Sequence, residues 1–138
     1  MRKITEIIIH CSCTPEGRNI GATTILGWHK ERGFSDIGYH YVIRLDGTIE
    51  EGRPIEQIGA HCKGHNRNSI GICYIGGTEK DCKTSKDTRT TKQREALQQL
   101  CKQLKAEYPN VTIHGHSEFA NKACPSFDVK QWIKEVRL

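Results

Sequence analysis

The sequence predicts an α/β fold with a mixed central sheet of about five strands flanked by three main helices. Strand-like apolar runs alternate along the chain with stretches that have the apolar spacing of amphipathic helices. Asp46-Gly47 lies between two strand-like segments, a pattern typical of a β-hairpin, which adds an antiparallel pair to the sheet. Because 138 residues suffice for one core but not comfortably for two, we expect a single domain over residues 1–138.

The strands are predicted from short apolar runs. Residues 4–10 form a nearly continuous apolar run, which is typical of a strand buried on both faces. A loop containing Gly and Pro follows, and Thr23 or Thr24 is expected to cap a helix that Gly33 ends. The pattern then predicts further strands at residues 39–43, 48–50, 69–75 and 111–114.

Two more helices are predicted from their caps and apolar stripes. Residues 78–90 are polar and turn-rich, so we interpret them as a mobile surface loop and not as a domain boundary. Thr90 and Gln93 have the spacing of a capping box, and the long helix that they begin is expected to stop before Pro109. Asp128 is expected to cap the last helix.

The charge balance limits the classes of partner. A net charge of +5 suits an anionic partner, such as nucleic acid or a bacterial wall polymer. The basic residues are scattered and no aromatic ladder accompanies them, so we expect no nucleic-acid partner. No apolar run approaches the ~18 residues needed to cross a bilayer, so we expect no membrane association. The first residues lead directly into a strand-like run, so we expect no signal peptide.

The cysteines are expected to be reduced. Their number is seven, and an odd count without a signal peptide argues against a disulfide framework. Cys11, Cys13 and the pair His61-Cys62 suggest a structural zinc site. Because no Cys-x-x-Cys spacing occurs, we do not favour that interpretation.

Chemically active side chains follow two of the predicted strands. His10 closes the first strand, and His116 lies just past the strand at residues 111–114. If these strands are parallel neighbours, both histidines emerge at the same edge of the sheet. Cys124 follows closely enough to fold back, and two imidazoles with one thiolate suit Zn²⁺ with an open position for water. The alternative is a polar loop with a half-buried cysteine and no metal.

A series of motifs carries a family resemblance over nearly the whole chain. These motifs are His10-Cys11-Ser12, residues 28–33, Gly38-Tyr39-His40-Tyr41, Asp46-Gly47-Thr48, Glu51-Gly52-Arg53, residues 68–72 and residues 122–128. With them the chain resembles the zinc-dependent N-acetylmuramoyl-L-alanine amidases, the amidase-type lysozymes or endolysins of bacteriophages. That family shares its fold with peptidoglycan recognition proteins. The sequence departs from the family at Cys13, where a small residue is usual, and in a longer, more basic loop at residues 78–90.

The resemblance implies a reaction and a set of site residues. The substrate would be the amide between N-acetylmuramic acid and L-alanine in bacterial peptidoglycan. The chain would bind one Zn²⁺ and would use two catalytic side chains. By resemblance, the metal ligands are His10, His116 and Cys124, and the catalytic residues are Tyr39 and Lys122. His61 and Asn68 are expected to bind substrate, His61 because it lies in a Gly-rich loop that could line the groove. The choice of His116 over His114 rests on the family spacing to the cysteine.

The remaining histidines are expected to be structural. His29 is expected to be an exposed helix residue, and His40 should point to the face of its strand opposite to Tyr39. His114 is expected to make a hydrogen bond at the end of its strand.

Two other functions remain open beside hydrolysis. Recognition proteins of this fold often lack the thiolate ligand and only bind wall fragments, whereas Cys124 favours catalysis here. Some phage amidases also inhibit an RNA polymerase, which makes that enzyme a candidate partner by resemblance alone. We expect a monomer that is made in the bacterial cytoplasm without a signal peptide and acts on the cell wall after release or export.

Overall fold

The computed structural model describes residues 2–138. Over this range the helices are α1 (Ala22–Glu31), α2 (Thr91–Glu107) and α3 (Val129–Val136). The strands are β1 (Glu6–Cys11), β2 (Thr14–Pro15), β3 (Tyr41–Ile43), β4 (Ile49–Glu51), β5 (Ser69–Tyr74), β6 (Gly77–Thr78) and β7 (Thr112–Gly115). Short 3-10 helices cover Asn66–Asn68 and His116–Glu118.

Five of the strands form the central sheet in the order β4-β3-β5-β1-β7. β1 pairs in parallel with β5 and β7, β3 pairs in parallel with β5, and β3 and β4 form the antiparallel hairpin. The mixed sheet and its three helices confirm the predicted fold class. β2 and β6 form a separate parallel pair, which the sequence did not predict because two-residue strands carry no periodic pattern.

The core lies on both faces of β1. Three successive isoleucines of this strand are 0% exposed, namely Ile7, Ile8 and Ile9. A larger apolar cluster joins one face of the sheet to α2 and α3 and includes Leu97 and Trp132. A smaller cluster joins the sheet to α1 and includes Ile25 and Val42. Burial on both faces explains why β1 is a continuous apolar run and not an alternating one.

The helix starts follow the predicted caps in two cases out of three. The Thr90 hydroxyl accepts a hydrogen bond from the Gln93 N–H at 3.0 Å, and the Gln93 side chain accepts one from the Thr90 N–H at 2.9 Å. The Asp128 carboxylate caps α3 in the same way. None of the helices within residues 2–138 is long and apolar enough to span a bilayer.

The predicted cap of α1 is wrong. This helix begins after Gly21, which has no side chain to cap it. The Glu50 carboxylate of the hairpin instead accepts a hydrogen bond from the Ala22 N–H at 2.8 Å. A contact between residues 28 positions apart replaces the local cap that Thr23 or Thr24 was expected to provide.

The prediction of a surface loop at residues 78–90 is correct only in part. Residues 79–86 are exposed, but Thr88 and Arg89 are buried. Thr78 belongs to β6 and forms an isolated antiparallel bridge with Ser85, so the segment folds back on itself. Its last part is buried, with Arg89 against the Phe127 ring, and leads directly into α2.

His40 is buried beside β3 and has a structural role. Its Nδ1 accepts a hydrogen bond from the Gly71 N–H at 3.0 Å, so the neutral ring carries its proton on Nε2 and donates to the Gln57 carbonyl at 2.9 Å. Burial lowers the pKa of His40 to about 4, with a further lowering by the charges of Arg2 and Arg53. Protonation of Nδ1 would break the hydrogen bond from the Gly71 N–H. It would also place a positive charge on a desolvated ring that already lies near the charges of Arg2 and Arg53.

We expect His40 to make the fold less stable in acid. Because the pKa of the unfolded histidine lies near 6.5 and that of His40 lies near 4, the unfolded chain binds the extra proton first. Its contribution to the free energy of unfolding is therefore complete above pH ~6.5 and is lost as the pH falls towards 4. Urea unfolding of the metal-free protein at several pH values should show a steeper acid slope than the same series on His40→Gln. The difference should approach one proton, about 1.4 kcal/mol per pH unit; equal slopes would contradict the assignment.

Candidate active site

Two histidines and one cysteine meet at the carboxyl edge of the sheet. His10 lies near the end of β1, and His116 begins the 3-10 helix directly after β7. The Nδ1 atoms of these histidines are 3.1 Å apart, and the Sγ of Cys124 lies 3.8 Å from the Nδ1 of His10. The three ligand atoms all lie within 4.8 Å of one another, and all three side chains are buried. The structure therefore brings together the three residues that were expected to hold a metal.

The loop that carries Cys124 is fixed by hydrogen bonds from three directions. The Cys11 N–H donates to the Sγ of Cys124 at 3.2 Å, and the Ser117 N–H donates to the Cys124 carbonyl at 2.8 Å. The Tyr74 hydroxyl, buried at the end of β5, donates to the Pro125 carbonyl at 2.6 Å. These bonds place the thiol beside the strand end that presents His10.

His61 contacts the opposite nitrogen of His10. The Nε2 of His10 lies 2.8 Å from the Nδ1 of His61, and the Nε2 of His61 lies 3.2 Å from the Ser69 hydroxyl. Because the Nδ1 of His10 faces the other two ligand atoms, its Nε2 carries the proton and donates to His61. A Cβ on Gly71 would lie 2.6 Å from the His61 ring, so only glycine leaves room for this imidazole. His61, expected to bind substrate, also orients a candidate metal ligand.

The electrostatics of the cluster suit a metal ion. Burial lowers the pKa of His10 well below its ordinary value and that of His61 to about 3, so both imidazoles stay neutral. Hydrogen bonding with the Cys11 and Cys13 thiols, and then burial, raises the pKa of the Cys124 thiol. Neutral imidazoles are the form that binds metals, and a cation would stabilise the thiolate that burial disfavours. The donor set therefore fits a thiophilic divalent cation such as Zn²⁺.

Tyr39 and Lys122 lie beside the three ligand residues. The Tyr39 ring centroid is 5.1 Å from that of His10. Burial raises the pKa of Tyr39 well above its ordinary value, which keeps the phenol neutral and able to donate a hydrogen bond. Lys122 is exposed and lines the same cavity as His10 and Cys124. Both expected catalytic residues therefore lie at the candidate metal centre.

The site lies in a groove made of two adjoining cavities. A cavity of about 230 Å³ contains the three candidate ligands, and a neighbouring cavity of about 710 Å³ contains His61. The two share five lining residues, namely His29, Arg32, Tyr39, His116 and Lys122. None of the described residues that line this groove is Asp or Glu. The groove is therefore neutral to basic along its length.

The expectation that His29 is exposed is wrong. It is 7% exposed, and its Nδ1 accepts a hydrogen bond from the Gly38 N–H at 2.9 Å. His29 follows buried Ile25 by four residues, so both side chains lie on the inner face of α1. That spacing was the signal in the sequence that would have identified His29 as a groove residue.

The structure does not bring Asn68 or His114 to the groove. Asn68 precedes β5 at the amino end of the sheet, where its side chain donates to the Lys3 carbonyl at 2.7 Å. His114 lies between the Thr112 hydroxyl at 2.7 Å and the Glu118 carboxylate at 2.9 Å, in a strand-end network of the kind that was expected.

The sequence of most of the chain matches a known family. A family profile described as N-acetylmuramoyl-L-alanine amidase matches residues 1–127. The chain belongs to this family. The resemblance on which the sequence analysis relied is thereby confirmed, as are the enzyme class and the expectation of a peptidoglycan amidase of the phage endolysin type.

Individual relatives and solved structures agree with the family assignment. The endolysin of Enterobacteria phage T3 is 44% identical over 138 residues, which cover 99% of this chain and 91% of that protein. The N-acetylmuramoyl-L-alanine amidase LysC from Clostridium intestinale superposes with a TM-score of 0.85 at 28% identity, covering 99% and 87% of the two chains. A chain from the ectodomain complex of peptidoglycan recognition proteins LCa and LCx, bound to tracheal cytotoxin, superposes with a TM-score of 0.77 at 28% identity. The match covers 97% of this chain and 82% of that chain.

We expect His61 to set the metal affinity of the site through His10. The variant His61→Ala removes the acceptor for the His10 Nε2 proton, so zinc should bind about 10- to 100-fold more weakly. Competition with a chromophoric chelator measures this directly. His65→Ala is the matched control, because His65 lies in the same loop but contacts Glu6 and not His10. Equal affinity in both variants would show that His61 does not support the ligand.

Proposed function

We propose that this chain hydrolyses the amide between N-acetylmuramic acid and L-alanine in peptidoglycan, with one Zn²⁺ held by His10, His116 and Cys124. The observation that carries the proposal is the convergence of three buried donor atoms within 4.8 Å, on a groove that also contains Tyr39 and Lys122. A catalytic zinc with three protein ligands keeps one position open. When bound, zinc supplies Lewis-acid polarisation of a carbonyl and lowers the pKa of a coordinated water.

Lys122 is proposed to stabilise the charge that develops on the scissile carbonyl. Its ammonium group is a donor that gains most when an oxyanion forms next to it, which makes the interaction stronger in the transition state than in the ground state. Exposure of Lys122 at the groove supports this role, because the side chain is free to approach a bound substrate.

Tyr39 is proposed to orient the attacking water. Its ring lies against His10 and His29, with centroid distances of 5.1 and 5.5 Å, so the side chain is confined beside the centre. A neutral phenol both donates and accepts a hydrogen bond, which is sufficient to hold a water in one direction. The enclosed position of Tyr39 limits the orientations that such a water can take.

The groove itself argues against a glycosidase. Hydrolysis of a glycosidic bond ordinarily uses two carboxyl groups that flank the bond. Among the described residues that line the groove, none carries a carboxylate. The donors that are present, imidazole, thiol, phenol and ammonium, match metal-assisted hydrolysis of an amide instead.

The finer expectations about partners and location remain predictions. A monomer is proposed, and the site needs no second copy, because all three candidate ligands come from one chain. The action of the chain on the bacterial cell wall follows from the substrate class, and its production in the cytoplasm followed by release or export is part of the same proposal. An RNA polymerase partner rests on resemblance alone.

The chemistry of the products tests the proposed reaction. Purified peptidoglycan digested with the zinc-loaded protein should gain new L-alanine amino termini and no new reducing sugars. The variant Cys124→Ser, with a weaker ligand at one position, should release far fewer amino termini. New reducing ends in place of amino termini would refute the amidase assignment.

Lys122 and Tyr39 are expected to affect the rate and not the metal content. Removal of one electrostatic donor typically costs ~10²–10³ in rate. Lys122→Ala and Tyr39→Phe should therefore retain one zinc per chain and a native melting curve while hydrolysing wall material far more slowly. Zinc content and turnover are measured on the same preparation. If activity declines only in proportion to lost zinc, the two residues support the site and do not take part in catalysis.

A further inference from the structure

We infer that residues 77–89 position the thiol ligand, with Arg89 as the positioning residue. We name residues 77–89 the supporting segment and residues 124–127 the thiol loop. The inference rests on the proposed metal centre, because the thiol loop contains Cys124. It assigns a purpose to most of the loop at residues 78–90, which was expected to be longer and more basic than in the family.

Arg89 contacts the thiol loop through an aromatic ring. The side chain is 4% exposed, and the centre of its guanidinium lies 3.4 Å from the ring centroid of Phe127. The Trp132 ring is a second aromatic neighbour at 5.9 Å. A cation over an aromatic face is attracted by the ring quadrupole, most strongly where water is excluded. The stack therefore fixes Phe127, three residues after Cys124, against the supporting segment.

The charge of Arg89 is compensated within the supporting segment. Its Nε and Nη2 donate to the two oxygens of Asp87, each at 2.9 Å. The remaining nitrogen, Nη1, is buried and has no hydrogen-bond partner among residues 2–138. A buried charge is costly unless it is paired, and this pairing holds the guanidinium plane in one orientation. The arginine thus presents a fixed face to Phe127.

Ser126 provides a second contact between the two segments. Its φ of 68° lies in the left-handed region that few residues other than glycine adopt. The Ser126 hydroxyl donates to the Gly77 carbonyl at 2.9 Å and accepts from the Ser85 hydroxyl at 2.9 Å. Both partners belong to the supporting segment. An unfavourable backbone conformation persists where surrounding contacts determine it, and these two bonds supply such contacts.

The thiol loop is therefore held from two sides. On the sheet side, Tyr74 bonds to Pro125 and the Cys11 N–H bonds to the Cys124 sulfur. On the outer side, the contacts come from Ser85, Arg89 and the Gly77 backbone. Loss of the outer contacts would leave the loop attached only through its bonds to Cys11, Ser117 and Tyr74. The position of the sulfur relative to His10 would then be less restricted, and the metal would bind more weakly.

Cobalt spectroscopy and zinc affinity test this role. In Arg89→Leu, zinc affinity should decrease about 10-fold or more. The thiolate-to-metal charge-transfer absorption of the cobalt(II)-loaded variant should weaken or shift. The melting temperature of the metal-free variant should also fall, because Asp87 loses a buried partner, so the test rests on affinity and spectrum and not on stability. Ser85→Ala, a change at an exposed position, should move affinity and spectrum in the same direction by a smaller amount.

Arg94→Leu is the matched control for the loss of an arginine beside Asp87. Arg94 also bonds to Asp87, at 3.0 Å, but its side chain is 48% exposed and belongs to α2. Arg94→Leu should keep the zinc affinity and the cobalt spectrum of the parent protein.

The positioning role is refuted if Arg89→Leu and Arg94→Leu have the same zinc affinity and cobalt spectrum. It is also refuted if Arg89→Leu changes only the melting temperature of the metal-free protein. If Arg89→Leu does not fold, an unchanged cobalt spectrum in Ser85→Ala refutes it. A charge-transfer band that survives in Cys124→Ser would instead refute the metal assignment.

Discussion

The parallel pairing of β1 with β7 is the constraint on which the candidate site depends. Ile9 pairs with Gly115, so the next residues of the two strands, His10 and His116, emerge together at the carboxyl edge. A slip of one residue would turn His10 to the other face of the sheet. A Cβ on Gly115 would lie 3.0 Å from Pro125, so the absent side chain also lets the thiol loop approach. One register thus sets the positions of all three donors.

Burial around this edge has two linked effects. Polar groups taken out of water are costly unless they find partners, and here they do. His10 contacts His61, His61 contacts Ser69, and the Cys124 sulfur accepts from a backbone N–H. The same desolvation lowers the pKa values of His10 and His61, and it adds to the hydrogen bonds with Cys11 and Cys13 that raise the pKa of the Cys124 thiol. The protein therefore presents neutral donors with fixed directions, which a cation can bind without first displacing protons from the imidazoles.

The sequence predicted what depends on local pattern. The apolar run of β1, the capping box at Thr90 and the approach of two strand ends to a cysteine loop all follow from spacing and strand polarity. What it missed depends on distant contacts. The Glu50 carboxylate caps α1 across 28 positions, and Arg89 is buried by a ring that follows it by 38 residues (127 − 89). Among the features that were missed, only the burial of His29 had a local signal, because His29 follows Ile25 by four residues on the same face of α1.

The separation of the candidate ligands along the chain has a consequence for biosynthesis. His10 and Cys124 are 114 residues apart, so a bound ion would close a loop that includes most of the polypeptide. Such a cross-link favours the folded state by mass action, because the unfolded chain has no assembled site. A growing chain cannot complete the centre until Cys124 has left the ribosome. Hydrolytic competence would thus arise only after Cys124 has been added, and translation products that stop before it would lack the complete centre.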